Sequence, residues 1–180
     1  MSAKLAGRER NPLTADLARV SDDHYISEIH IDEASLPALS PEQQHERRVA
    51  VFDLLEDNRF RPLESDSGPY TVHVALRDGS RLDFTVSRSN GAGRGSFTVA
   101  LTPLRRIIKD YFLICDSYHN AIRTGTSQQI EAIDMGRRGL HNEGSRMVED
   151  AVRGFAEIDF ITARRLYTLV CSLHRRRASI

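Results

Sequence analysis

Two runs of alternating apolar residues on either side of Asp78-Gly79 constrain the fold of this chain most strongly. Because alternate residues of a strand lie on the same side of a sheet, both runs must place their apolar residues on the core side of one hairpin. A two-residue turn at Asp78-Gly79 would pair Val74 with Asp83 and turn the second run outward. We therefore predict a three-residue loop at residues 77–79, with Gly79 in the left-handed conformation. The predicted pairs are Val72 with Phe84 and Val74 with Leu82.

The rest of the chain supplies one further strand and several helices. The predicted segments are a strand at 24–32, a helix at 41–58, a strand meander at 70–101 that includes a Gly-rich hairpin loop at 90–95, and helices at 103–122, 126–138, 142–155 and 162–174. This order indicates an α+β fold, in which a small antiparallel sheet, the meander plus an edge strand, is packed on one face by about five helices. We predict a single domain at residues 24–175, a flexible N-terminal arm at residues 1–23 and a basic tail at residues 176–180.

The composition bears on nucleic-acid binding, on the cellular compartment and on membrane insertion. The chain has 25 basic and 25 acidic residues, so it lacks the basic excess of a broad nucleic-acid footprint. Its two cysteines form no spacing framework, which fits a reducing compartment. No apolar run approaches the roughly 20 residues that cross a bilayer. We therefore predict a cytoplasmic protein that needs no cofactor and that binds neither membrane nor nucleic acid.

The stretch TSQQIEAIDMGRRGLHNEGSR, residues 126–146, is rich in side chains that can take part in binding or catalysis. Thr126 and Gln129 form a capping-box pattern that begins a helix. Gly139 is typical of a helix C-terminus, and the two arginines before it suit the negative end of the helix dipole. Asn142 or Ser145 then caps a second helix. The predicted corner between the two helices holds Arg137, Arg138, His141, Asn142 and Glu143.

Three motifs in the second half resemble a known family. They are TPLRRIIKDYFLICDSYHNAIR, IEAIDMGRRGLHNEGS and IDFITARRLYTLVCSLH. The chain resembles, over roughly residues 24–174, a bacterial family catalogued as an uncharacterised protein family (UPF, number 0262). The resemblance implies no assigned activity and transfers no catalytic role, so function has to be inferred from the residues.

The corner has two interpretations. Arg137 and Arg138 provide planar guanidinium donors, and a helix N-terminus after His141 would add backbone N–H groups, which together form an anion-binding site. Alternatively, the nearby carboxylates of Glu131, Asp134 and Glu143 neutralise both arginines in an internal network.

Other groupings give weaker candidates. Asp116 and His119 are three residues apart on a predicted helix and are the weak candidates for metal ligands, but they lack a signature spacing. Cys171 and His174 share a helix side, yet Cys171 lies in an apolar run and is better explained as a core thiol.

Three functions follow from these patterns. The leading hypothesis is a non-enzymatic regulatory or adaptor protein that binds a partner or a small anionic ligand at the corner, residues 137–143. The alternative is an enzyme acting on a phosphorylated or nucleotide substrate, with His141 as acid/base, Glu143 orienting it and the two arginines holding the phosphate. The third is a homodimeric structural protein that associates through the outer sheet face or an edge strand.

Overall fold

The computed structural model describes residues 23–174. The predicted arm at residues 1–23, apart from Asp23, and the predicted tail at residues 176–180 lie outside the described residues. The elements in chain order are β1 (Ile26–Ile31), a 3-10 turn (Glu33–Ser35), α1 (Pro41–Glu56), β2 (Phe60–Pro62), β3 (Tyr70–Arg77), β4 (Arg81–Arg88), β5 (Arg94–Ala100), α2 (Leu101–Thr124), α3 (Ser127–Val152), β6 (Ala156–Ile158) and α4 (Phe160–Leu173). The α+β class is confirmed, with four described helices rather than about five.

The main sheet is mixed rather than antiparallel. Its strand order is β1-β3-β4-β5, and β3, β4 and β5 form the predicted antiparallel meander. The edge strand β1 pairs with β3 in parallel, which corrects the predicted antiparallel sheet. The chain between them contains α1 and β2, which gives it the length a parallel crossover needs. β2 and β6 pair separately as a two-stranded antiparallel sheet.

The hairpin between β3 and β4 has the predicted loop length but a different register. The loop comprises residues 78–80, and Val74 lies opposite Phe84, so the predicted pairing of Val74 with Leu82 is wrong by two residues. Asp78 and Gly79 both have positive φ, at 52° and 62°, and aspartate tolerates this conformation better than most residues. Arg81 Nη2 donates to Asp78 Oδ2 at 2.9 Å and closes the loop. The expectation that both apolar runs share one face is confirmed, because their residues are buried or half-buried.

The helices cover the apolar face of the main sheet. Phe84 and Phe97 stack on neighbouring strands with ring centroids 4.7 Å apart. Helices α2, α3 and α4 pack in succession, and α1 packs against α4 and β1. The residues of this face and of the helices that are less than 3% exposed include Val72, Leu82, Phe84, Val99, Leu101, Leu104, Ile108, Leu166, Leu169 and Val170. The opposite sheet face carries polar residues, such as the pair Thr98 and Asp83, as predicted.

Helix α3 runs without interruption through the predicted corner. The capping box at Thr126 and Gln129 is confirmed, but the helix then continues for 26 residues to Val152. Gly139 therefore lies in the middle of one helix, and its predicted role as a helix end is wrong. No helix begins directly after His141, so the backbone N–H groups expected to be free there already form hydrogen bonds within α3.

Candidate functional site

The predicted site residues lie along the middle of α3, between α2 and α4. His141 is buried, Arg137 and Asn142 are half-buried, and Arg138 is exposed. Glu143 is exposed as well, and residues two apart on a helix point to nearly opposite sides. The structure therefore groups the first four residues and separates Glu143 from His141.

Asp134 binds both arginines. Its Oδ1 accepts hydrogen bonds from Nε and Nη2 of Arg137 at 3.1 and 2.7 Å, and its Oδ2 lies 2.7 Å from Nη2 of Arg138. The hydrogen bond from Arg137 holds the pKa of Asp134 below its usual value and raises the pKa of Arg137. The Arg137 guanidinium also lies 5.0 Å from the centre of the Tyr118 ring. Arg137 is thus held from two sides, whereas the Arg138 side chain remains 69% exposed.

His141 lies in an aromatic pocket and is 8% exposed. The rings of Tyr111 and Tyr167 meet it edge-on, with centroids 5.3 and 5.1 Å away. Its Nε2 lies 3.0 Å from Thr168 Oγ1, and its Nδ1 lies 3.4 Å from Ser145 Oγ. Both ring nitrogens therefore already face hydroxyl groups of the protein.

The pKa of His141 is lowered from 6.5 to about 4, first by burial and then by the charges of Arg164 and Arg137. The imidazole is therefore neutral near pH 7. A neutral imidazole with this pKa is poorly matched to acid/base catalysis at that pH.

Arg164 on α4 is a member of this site that the sequence patterns did not reveal. Its Nη1 donates to Asn142 Oδ1, and its charge contributes to the lowered pKa of His141. Asn142 is a neutral partner, and Arg164 forms no ion pair with an acidic residue between 23 and 174. The only signal in the sequence was a basic pair, Arg164-Arg165, within an apolar helical stripe. We call Arg137, Arg138 and Arg164 the arginine cluster.

The remaining candidates from the sequence are Asp116, His119, Cys171 and His174. Asp116 and His119 are exposed on α2, and within residues 23–174 no three histidine, cysteine or acidic side chains converge on a possible metal position. Cys171 is buried on α4, in agreement with a core thiol. The pKa of His174 is lowered, first by burial and then by the charge of Arg105. Among the four described helices, none combines the length and apolar character needed to cross a bilayer.

Comparison with known proteins gives a consistent result. A family model described as "Uncharacterised protein family (UPF0262)" matches residues 23–176. A UPF0262 protein of Caulobacter vibrioides is 53% identical over 154 residues, which cover 86% of this chain and 95% of the relative. One from Nitrobacter winogradskyi is 50% identical, covering 84% of this chain and 90% of the relative, and one from Brucella canis is 48% identical, covering 91% and 99%. No solved structure matches the chain.

Proposed function

Since this chain belongs to the bacterial family UPF0262, whose description carries no activity, we propose a function from its own residues: a non-enzymatic cytoplasmic protein, regulatory or adaptor in role, that binds a small anion or an acidic partner at the arginine cluster. The thiols of Cys115 and Cys171 support the cytoplasmic location. The binding hypothesis rests on the charge balance around His141.

The observation that carries the proposal is that two of the three guanidinium groups share one carboxylate and the third has an uncharged partner. Asp134 is the acidic partner of both Arg137 and Arg138, while Arg164 is held by the amide oxygen of Asn142. The local charge is therefore positive. Such a surface attracts anions, and guanidinium groups bind carboxylate or phosphate oxygens in a planar, two-pronged geometry.

The accessible members of the cluster are the expected contacts for a ligand. Arg138 is 69% exposed at its side chain, and Arg164 is half-buried beside the exposed hydroxyl of Thr168. Arg137 is not expected to contact the ligand, because Asp134 and the Tyr118 ring immobilise its side chain. We therefore assign Arg138 and Arg164 to the ligand and Arg137 to the scaffold.

The geometry gives the enzyme hypothesis less support. His141 is neutral near pH 7 and faces protein hydroxyls, and Glu143 points to another side of α3. An acid/base role would need His141 to reach a substrate proton and a partner to orient it. The binding hypothesis needs neither.

Titration calorimetry with pyrophosphate and with a hexaglutamate peptide tests the proposal and separates the two ligand types. Arg138→Ala and Arg164→Gln should each weaken binding about tenfold, as expected for loss of a charge-assisted hydrogen bond. Asp134→Asn should strengthen binding, because it removes the competing carboxylate. Arg106→Ala is the matched control, since the Arg106 side chain is 94% exposed on α2. Equal losses in the control and cluster variants, or no saturable binding of either probe, would contradict the proposal.

A further inference from the structure

A groove of about 500 Å³ lies outside the arginine cluster. Its walls come from the loop after β2, from the Gly-rich turn between β4 and β5, and from the residues that join α3 to β6. The volume falls within the range of about 300–1,000 Å³ that is typical of small-molecule sites. No residue of the arginine cluster contributes to it.

One wall of the groove is apolar and held in place by the fold. The backbone N–H of Leu63 donates to the carbonyl of Phe155 at 2.9 Å, which joins the two segments. The Phe155 ring packs 5.3 Å from the Phe97 ring. It also covers Gly95 so closely that a Cβ there would lie 2.7 Å from the ring. Leu63 remains 55% exposed, so this wall offers apolar surface that the protein itself does not cover.

Two arginines at the ends of β4 and β5 also line the groove. Arg88 is half-buried and Arg94 is exposed, and neither forms an ion pair with any residue between 23 and 174. Glu64 supplies an exposed carboxylate, which leaves the groove with a positive excess. Arg88 is fixed at its backbone, because its N–H donates to the carbonyl of Ala92 at 3.0 Å across the turn.

The Gly-rich turn joins the two strands that carry these arginines. Gly91 and Gly93 have φ values of 81° and 64°, which side chains other than glycine rarely adopt. The turn is the hairpin loop predicted at residues 90–95, and it places Arg88 and Arg94 on adjacent strands. The groove therefore combines apolar surface with the cationic side chain of Arg88, whereas Arg94 lies opposite Ser87 and leaves the sheet from the other face.

We propose that this groove binds a small organic anion that has an apolar body and one carboxylate or phosphate head. The body covers Leu63 and Phe155, and the head pairs with Arg88. An inorganic anion would leave the apolar wall uncovered. A neutral apolar ligand would displace water from the guanidinium groups without replacing their hydrogen bonds, which is costly.

The test is a titration of the ¹⁵N-labelled full chain, followed by amide chemical shifts, with 4-phenylbutyrate, phenyl phosphate and the neutral 4-phenylbutanol. Both anions, or one of them, should shift the amides of Gly93, Gly95 and Phe155 in a saturable way. The head group that binds more tightly identifies the ligand class. The alcohol should bind at least about tenfold more weakly, because it lacks the charge-assisted bonds.

Variants decide whether the groove is the site. Arg88→Gln should weaken binding of the anion about tenfold and Arg94→Gln should weaken it less, whereas Leu63→Asn should weaken the anion and the alcohol alike. Arg106→Gln should leave the affinity unchanged, and so should Arg138→Ala, which separates this site from the arginine cluster. The proposal is overturned if no probe saturates, if the alcohol binds as tightly as the anions, or if Arg106→Gln weakens binding as much as the groove variants.

Discussion

His141 has two hydroxyl neighbours, and each of them also lies within hydrogen-bonding distance of a carbonyl oxygen. Ser145 Oγ is 2.6 Å from the carbonyl oxygen of His141, and Thr168 Oγ1 is 3.1 Å from the carbonyl oxygen of Arg164. A neutral imidazole has one donor and one acceptor nitrogen, so one hydroxyl must turn its proton to the ring. Thr168 is exposed and lies farther from its carbonyl oxygen than Ser145 does. We therefore expect the Thr168 hydroxyl to donate to Nε2 of His141. We therefore assign the proton of His141 to Nδ1.

Replacing His141 tests how its burial affects stability. The unfolded chain takes up the histidine proton near the ordinary pKa of 6.5, whereas the folded chain does so at about 4. Protonation of His141 therefore does not reduce the free energy of unfolding above pH 6.5, and it reduces this free energy progressively as the pH falls from 6.5 toward 4. The loss amounts to no more than about 3.5 kcal/mol at roughly 1.4 kcal/mol per pKa unit.

Urea unfolding at pH 7 and pH 4 measures this effect. His141→Gln should lower the free energy of unfolding at pH 7 but show a smaller difference between the two pH values than the wild type. His119→Gln, at an exposed position, should keep the wild-type difference. An unchanged pH difference in His141→Gln would show that another group is responsible.

The sequence identified part of this site and missed the rest for a physical reason. Arg137, His141 and Asn142 are close along the chain, so their spacing already brings them together on a helix. Arg164 and Thr168 come from α4, and their contacts with α3 depend on how the two helices pack. Local patterns do not contain that information. Whether the cluster binds a ligand stays a prediction.

At the level of secondary structure, the glycines of α3 explain why the predicted helix break was wrong. A Cβ on Gly136 would lie 2.7 Å from Ile114 Cδ1, and one on Gly144 would lie 2.2 Å from Tyr167 Cζ. These glycines allow α2 and α4 to pack tightly against α3. Gly139 has neither a close neighbour nor a positive φ, so it is an ordinary helical residue. A glycine that ends a helix and one that permits close packing look the same in sequence.

Two alanine substitutions in α3 should therefore have opposite effects. Gly139→Ala should stabilise the protein by about 0.5–1 kcal/mol, because alanine is the better helix former and its methyl group meets open space. Gly144→Ala should destabilise it by about 1–3 kcal/mol, since its methyl group would overlap the Tyr167 ring. The midpoints of urea unfolding measure both changes in stability, provided that the m-values stay unchanged. If Gly139→Ala is the more destabilising of the two, α3 is interrupted at Gly139 after all.

At the level of the whole molecule, the sequence predicted which surfaces are apolar better than it predicted how the strands connect. The alternation around Asp78-Gly79 was sufficient to exclude the two-residue turn and to assign the core face. It could not choose between three-residue loops that start one residue apart, because both keep the apolar residues inward. The direction of β1 depends on the crossover through α1, which leaves no periodic signal in β1 itself.

An ion pair between a buried arginine and an exposed glutamate ties this crossover to the body of the protein. Arg47 on α1 is 4% exposed, and its Nη1 lies 2.5 Å from Oε2 of Glu33, in the turn that follows β1. Its Nε and Nη2 are buried without a hydrogen-bond partner among residues 23–174. Glu33 is therefore the group that compensates a charge which would otherwise be buried alone.

Removing Glu33, the partner of a buried arginine, should consequently cost more than removing the partner of an exposed arginine. We expect Glu33→Ala to lower the free energy of unfolding by about 1–3 kcal/mol, because it leaves Arg47 buried and unpaired. Glu157→Ala, which breaks the exposed pair with Arg61, should cost less than about 1 kcal/mol. Adding Arg47→Met to Glu33→Ala should recover most of the loss, since the buried charge is then absent. Equal costs for the two glutamate variants, or no recovery in the double variant, would mean that the crossover is held by packing alone.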